Sequence, residues 1–475
     1  MMHESSAVSP ILHRLETLRR EDLLAFQFAI LKHQIERCWS TNSFYRTRWQ
    51  RVGAAPEKIK SFDDFRKRIP TVTKQDFLDD QLTNPPFGER LGIPREDVRL
   101  VVLTGGTTGQ GQEIYGRNAA DVAVLTHMHY LPYHLAGLRK GDIAFNCAPA
   151  GGMTSGGWGP PEGMRQGGAI VFNVGGVLST EAKIDLMLRF GVMHFIYAST
   201  NYLHTLTEAL RRRGLDPRQA FPMMKALYIA AEGYSPKWAQ TTENIWGCPL
   251  HEGYGSTQAT GFAYTSCPSV RRSPEHVNLL HALEWWNLME VIVPETGESV
   301  GPGEEGEIIL TNLTMAGSPC IRFSTRDKAR WFPHDACSCG RPWHCIEAGS
   351  VGRYDDMMKI RGNNVWPISV DAVVFAHAEV GEYAGRVFVD DFGRTEVEVR
   401  VAFKPEFAAA PCDARTTMLQ QIANTIKAKT NVTMTVMEVP RAELPTFEYK
   451  ARRWKDERQA GYDRTAKNMG VPHAG

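Results

Sequence analysis

The sequence predicts an α/β protein in two parts, a large N-terminal domain over residues 1–352 and a small α+β domain over 353–475. Two observations carry this. Strand-like and helix-like segments alternate from about residue 98, the rhythm of a mainly parallel sheet with crossover helices. After residue 353 the pattern restarts with a shorter set of elements. A chain of 475 residues is also too long for one simple core, so at least two domains are expected.

Taken in order, residues 1 to about 90 read as helical. "SPILHRLETLRREDLLAFQFAILKHQIERCW" spaces Leu, Ile and Phe among charges at helical intervals. In "SFDDFRKRIPTVTKQDFL", Ser61 is placed to cap a short amphipathic helix. "VRLVVL", "GDIAFNCAP", "GGAIVFNV", "MHFIYAS" and "KALYIAAEG" read as strands. "STEAKIDLMLRFG" and "TNYLHTLTEALRRRG" read as helices between them. "TGESVGPGEEGEIILTNL" reads as turns followed by a strand. In the small domain, "TEVEVRVAF" puts Val397, Val399, Val401 and Phe403 on one strand face. The helix "TTMLQQIANTIKAKT" and the segment "NVTMTVMEVP" complete it. No internal repeat is found.

Composition narrows the class. Hydrophobic residues make up 43% and charged residues 23%, the balance of a folded soluble protein. The net charge of +1 gives no bias toward nucleic acid or an anionic membrane. No apolar run is long enough to span a bilayer. "MMHESSAVSPILHRLETLRRED" lacks an apolar signal core, so a cytoplasmic location is expected. Nine cysteines in this length do not suggest a disulfide framework.

The chemistry starts at "LTGGTTGQGQEI", which follows a strand-like run. Thr104, Thr107 and Thr108 offer hydroxyls, and Gly105, Gly106 and Gly109 let backbone N–H groups turn toward an anion. The loop does not match G-x-x-x-x-G-K-[ST]. Four further segments follow: "HEGYGSTQATG", "CIRFSTRDKAR", "GRYDDMMKIRGNNVWP" on the inferred domain boundary, and "ELPTFEYKARRWKD" near the C-terminus.

The order and spacing of these five segments resemble the adenylate-forming superfamily of acyl-CoA synthetases and adenylation domains, and most closely its phenylacetate–CoA ligase family. The resemblance runs from "NSFYRTRW" to Lys450. It implies a large N-terminal adenylate-forming domain of several subdomains and a small C-terminal domain joined by a hinge. "TGGTTGQ" resembles the loop that grips the β- and γ-phosphates of ATP. "AAEGYSP", with Ala231, Glu232 and Gly233, is similar to the lining of the adenine pocket. "YGSTQ" resembles the motif in which Tyr254 would stack on adenine and Thr257 would contact the α-phosphate, with Gly255 and Ser256 between them. Asp327 and Arg353 match the ribose-contacting residues, Asp355 the hinge, and Lys450 the lysine that bridges carboxylate and α-phosphate.

What this implies is an AMP-forming aryl-acid–CoA ligase using ATP, Mg²⁺ and CoA, with no nucleic-acid or membrane partner and a homodimer as its assembly. Two alternatives differ in chemistry: an adenylating enzyme with an amine or carrier-protein acceptor, and a degenerate nucleotide-binding protein. The last is motivated by Gln258, which stands where the family usually has a magnesium-ligating glutamate, and by Gln110, where a lysine is common. An amide oxygen can ligate magnesium but brings no charge. On that ground Gln258→Glu is expected to lower a high magnesium requirement; under the alternative that Gln258 serves another task, such as contacting a polar substituent of the acid or a non-CoA acceptor, the substitution would impair turnover.

The cysteines form a second constellation. "CSCGRPWHC" holds Cys337, Cys339 and Cys345, and "TSCPSVRRSPEHVNLLH" holds Cys267, His276 and His281. Thiolates with one imidazole suit a closed tetrahedral zinc site. The resemblance implies Cys267, His276, Cys337 and Cys339 as its ligands, with Cys345 and His281 as substitutes. For the acid, "NCAPAGGMTSGGW" and "IYAST" are expected to line the pocket, where Ala148, Met153, Trp158 and Ala231 suggest a flat apolar slot.

Overall fold

The computed structural model describes residues 14–104, 112–148, 153–230, 234, 236–269, 278–354, 358–360, 363–390, 395–447 and 453–458. The chain divides into two compact units, one of residues 1–231 with 242–351, the other of residues 232–241 with 352–475.

The first unit opens with helices whose ends are set by local chemistry. The helix Arg20–Thr41 buries Leu23, Gln27, Leu31, Gln34, Ile35 and Cys38, a single stripe at helical spacing. Asn42 caps the next helix, Ser43–Arg51, by accepting from the Tyr45 N–H. Ser61 caps Phe62–Arg68 as its sequence position predicts, and Thr73 with Asp76 forms a capping box on Lys74–Thr83.

The first two strands, β1 (Leu100–Leu103) and β2 (Ile114–Arg117), pair antiparallel with each other in a sheet of their own. This differs from the expectation that "VRLVVL" opens the parallel series: β2 returns within ten residues, too close in sequence for a parallel crossover. The main sheet contains β3 (Ile143–Asn146), β4 (Ile170–Asn173), β5 (Phe195–Ala198), β6 (Ala226–Ala230) and β7 (Leu250–Ser256), all parallel to their neighbours in the order β7-β6-β5-β3-β4. β5 and β6 are buried along their whole length, as parallel strands covered on both faces must be. β4 goes to one side of β3 and β5 to the other, so the strand order reverses at β3/β5. The crevice beyond the carboxyl ends of strands at such a reversal is the usual ligand site of an open α/β sheet.

The sheet continues antiparallel through β8 (Gly261–Ser266), β9 (Leu279–Ala282), β10 (Asn287–Ile292), β11 (Glu305–Asn312), β12 (Phe323–Phe332) and β13 (Cys345–Glu347), in the order β10-β11-β12-β13-β9-β8-β7. The N-terminal helix is tied to it by a buried polar cluster. Glu284 accepts from His344 Nδ1 at 2.8 Å and from the His344 backbone N–H at 3.1 Å, and pairs with Arg20. Gln27 Nε2 donates to the Glu284 carbonyl at 2.6 Å. Burial raises the Glu284 carboxyl, but His344 and Arg20 outweigh it and hold it at about 2.

A carboxyl whose folded pKa lies below its unfolded value of about 4.3 stabilises above that value and loses the contribution as pH falls toward the folded pKa. Glu284→Gln is therefore expected to cost roughly 3 kcal/mol near neutral pH, because Arg20 and His344 lose their anion. Urea unfolding should show the gap between variant and parent closing as pH falls from about 4 to about 2; a gap that persists there would contradict the assignment.

In the second unit, the strands Val380–Val389 and Thr395–Phe403 pair antiparallel, flanked in parallel by Trp454–Asp456 and Thr435–Glu438. Val397, Val399, Val401 and Phe403 are buried together against Ile422 and Ile426 of the helix Cys412–Thr430. Gly385 makes room for the last strand: a Cβ there would lie 2.6 Å from the Trp454 ring. Among the described residues, no helix is long and apolar enough to cross a membrane.

Candidate active site and metal centre

The "YGSTQ" residues sit where β7 ends and turns into β8. The strands come unusually close there, since a Cβ on Gly255 would lie 2.2 Å from the Gly261 carbonyl oxygen, so only glycine fits. The turn is closed by Ser256 Oγ, which accepts from the Ala259 N–H at 3.1 Å. Two buried asparagines hold its carbonyls from below. Asn287 Nδ2 donates to the Ala259 carbonyl at 3.3 Å, and Asn312 Nδ2 to the Gln258 carbonyl at 3.1 Å and to Asn287 Oδ1 at 2.9 Å.

Tyr254, Asp327 and Thr257 lie among the described residues and join separate segments. Tyr254 donates its hydroxyl to Asp327 Oδ2 at 2.7 Å, so the residue assigned to adenine and the residue assigned to ribose touch. Burial, and then the Asp327 charge, push the Tyr254 hydroxyl well above its ordinary pKa. Asp327 lies on β12, and its N–H donates to Thr325 Oγ1 at 3.0 Å. Thr257 Oγ1 donates to the Leu103 carbonyl, at 3.5 Å, and accepts from Ser155 Oγ at 3.2 Å. The end of β1, the end of β7 and the start of the helix Ser155–Gln166 thus converge on Thr257. Thr104 is buried at the mouth of the glycine loop, its hydroxyl accepting from the Glu113 N–H at 3.0 Å.

Asp327→Ala is expected to raise the ATP KM strongly. Each charge-assisted contact to a ribose hydroxyl contributes roughly 1.5–3 kcal/mol in partly dry surroundings. An ATP KM equal to that of the parent would remove Asp327 from the site.

The sequence reading missed Glu113. It is fully buried, and its carboxylate accepts from Gln258 Nε2 at 3.0 Å to each oxygen and from the Tyr115 hydroxyl at 2.9 Å. The available signal was an acidic residue directly after a glycine loop and before a strand. Asn287 and Asn312 gave no signal, since nothing local distinguishes them.

For the acid slot, Ala148 is buried beyond the carboxyl end of β3, Trp158 is half-buried and Met153 is exposed. Gly105, Gly106, Thr107, Thr108, Gly109, Ala231, Glu232, Gly233, His276, Asp355 and Lys450 lie outside the described residues. Arg353 is described, in the second unit.

The cysteine constellation forms one cluster. Cys267, His281, Cys337 and Cys339 place one donor atom each within 4.8 Å of one another. Among the described residues the imidazole of the cluster is His281, the substitute; His276 lies outside them. His281 sits on β9 beside β13, and that pairing carries it to the "CSCG" loop. Cys267 and Cys337 sulfurs are 3.9 Å apart, and Cys339 Sγ is 3.5 Å from His281 Nε2. With Zn–S near 2.3 Å and Zn–N near 2.0 Å, tetrahedral edges are about 3.8 Å and about 3.5 Å, so the donor set fits zinc. His281 Nδ1 faces Cys345 Sγ at 3.3 Å, which orients the ring with Nε2 toward the cluster. Cys345 is thus a neighbour of the cluster rather than one of its four donors. Hydrogen bonds with Cys337 and Cys339 push the Cys267 thiol far up, while Cys339, accepting hydrogen bonds from Cys267 and Cys337, is held far below the thiol range.

A tyrosine–aspartate pair and a threonine held against the end of β1, on this sheet, fit an adenylate-forming enzyme. The comparisons agree. The family model described as AMP-binding enzyme matches residues 31–317, and that of the AMP-binding enzyme C-terminal domain matches 362–458. A phenylacetate–coenzyme A ligase of Thermus thermophilus is 31% identical over 91% of this chain and 96% of its own length. One of Escherichia coli is 26% identical over 92% and 95%. A solved 2-hydroxyisobutyryl-CoA ligase superposes with a TM-score of 0.84 at 23% identity, covering 96% of this chain and 94% of that one. The chain belongs to the AMP-binding enzymes, within the phenylacetate–coenzyme A ligase family.

Proposed function

We propose that this AMP-forming acid–thiol ligase activates an aryl acid with ATP and transfers the acyl group to CoA. The observation that carries the reading is the convergence at Thr257, the residue matched to the α-phosphate contact, of the Leu103 carbonyl at the end of β1 and the Ser155 hydroxyl. The slot for the acid lies beyond β3 and β5, where the strand order reverses, with Ala148 in its wall.

In this mechanism Tyr254 stacks on adenine, and Asp327 and Arg353 hold the ribose. The carboxylate attacks the α-phosphorus in line, an acyl-adenylate forms, and pyrophosphate leaves. Both reactants are anionic, so positioned donors must meet charge as it develops; Thr257 and Lys450 supply them. Bound magnesium would neutralise the departing pyrophosphate, and the oxygen donors around Gln258 suit such a hard cation. A thiol then attacks the acyl-adenylate carbonyl and AMP leaves. A small domain re-oriented about Asp355 would serve the two half-reactions in turn. The cluster of Cys267, His281, Cys337 and Cys339 would hold a structural zinc with no part in the chemistry. The resemblance also supports a homodimer, and a cytoplasmic site where ATP and CoA are supplied.

Pyrophosphate release over a panel of aryl and aliphatic acids, with and without CoA, tests the proposal. Release that needs an aryl acid, with thioester formed only when CoA is present, is the expected result. Release without thioester would point to another acceptor, and preference for short aliphatic acids would overturn the aryl assignment.

A further inference from the structure

The contact between Gln258 and Glu113 changes what position 258 does. Glu113 is fully buried, yet the donors to its carboxylate are an amide and a phenol, both neutral. Among the described residues no lysine, arginine or histidine forms an ion pair with it. Two buried arginines stand near without donating to it. Arg90 lies 4.4 Å from the Tyr115 ring and bonds the Ile114 carbonyl at 2.9 Å; Arg117 lies 5.2 Å from that ring and bonds the Ser318 carbonyl at 2.9 Å. The arginine charges lie over the Tyr115 ring rather than in hydrogen bonds to the carboxylate, so its direct donors are neutral. Glu113 lies directly after the glycine loop, and its amide donor directly after Thr257.

The hydrogen bonds also settle which way the amide faces. With Nε2 at 3.0 Å from both carboxylate oxygens, the opposite arrangement would set Oε1 against two anionic oxygens. The planar amide therefore presents its carbonyl oxygen away from Glu113. Donation to an anion polarises an amide and makes that oxygen a better ligand.

We propose that Glu113 and Gln258 act as one unit: Glu113 is a positioning residue that aims the Gln258 carbonyl oxygen at the divalent cation of the nucleotide and supplies, from the neighbouring element, the negative charge that a carboxylate at 258 would bring. The proposal rests on the adenylation reading above. It reverses one expectation drawn from the sequence. In the parent background Gln258→Glu gives no gain, because the new carboxylate would stand about 3 Å from an existing one and repel it.

The test is a double exchange of Glu113→Gln and Gln258→Glu. Mn²⁺ is titrated into protein saturated with a non-hydrolysable ATP analogue, binding is read from the free-Mn²⁺ electron paramagnetic resonance signal, and thermal melting checks that each variant folds. Glu113→Gln is expected to weaken Mn²⁺ about tenfold. Adding Gln258→Glu to it should recover affinity to within about threefold of the parent, because the charge has moved across the contact. Equal effects of Gln258→Glu in both backgrounds, or no loss in Glu113→Gln, overturn the proposal. If Glu113→Gln does not fold, Gln258→Glu alone decides: tighter Mn²⁺ overturns the unit, unchanged or weaker Mn²⁺ supports it. Acid-dependent pyrophosphate exchange by the parent separates the two readings. Exchange without coupling removes the pair and keeps the ligase; coupling without exchange does the reverse.

Discussion

Replacing Lys450 by alanine is expected to reduce acid-dependent ATP–pyrophosphate exchange by roughly 100-fold or more, the usual loss when a donor to developing transition-state charge is removed. The effect should sit in the adenylation step. Two anions meet there, and a cation contacting both the carboxylate and the α-phosphate acts most strongly as they approach. Thiolysis of a supplied acyl-adenylate has no such encounter and should suffer much less. The melting temperature should stay within a degree or two, since "TFEYKARR" places Lys450 in a polar run rather than a core stripe. Exchange that survives near the parent rate would show that the lysine does not belong to the chemistry.

The second large effect concerns the cysteine cluster. Purified protein is expected to carry about one zinc per chain, and Cys339→Ser or Cys337→Ser to lose it. The metal would join the segment after β8 to the loop before β13, segments 70 residues apart at Cys267 and Cys337. Without it, three close sulfurs and a buried imidazole lose the cation that reconciles their charges. The expected cost is on the order of 4 kcal/mol, which lowers the melting temperature by about 4–6 °C in a protein of this size. Chelation should act the same way, while the protein that remains folded keeps most of its adenylation rate. Elemental analysis without zinc, in protein prepared free of chelators, would sink the site. An unchanged melting temperature in Cys339→Ser would leave it without a structural role.

Much of the architecture was legible because its signals are local. Ser61 caps its helix with a hydroxyl three residues from the amide it satisfies. The alternation of Val397, Val399, Val401 and Phe403 states which strand face is buried, and all four are buried. The strand–helix rhythm from β3 to β7 announces a parallel sheet because each crossover is written in consecutive residues. β1 misled for the complementary reason: an apolar run shows that a strand forms but not what it pairs with, and β2 reached it first.

The amino-acid sequence by itself determined the class of protein, through five ordered segments and the residue types each chemistry requires. It also determined where helices start and which strand faces turn inward. Only the tertiary structure brought His281 to the cysteines, because it is carried to Cys339 by the pairing of β9 with β13 and not by spacing from Cys267. Likewise, only the fold brought Glu113 to Gln258, across 145 residues of chain. The physical reason is common to both. Hydrogen bonds and metal geometry act over about 3 Å, while sequence patterns report neighbours along one element. A contact between side chains of distant elements exists only after the strands that carry them have found their register.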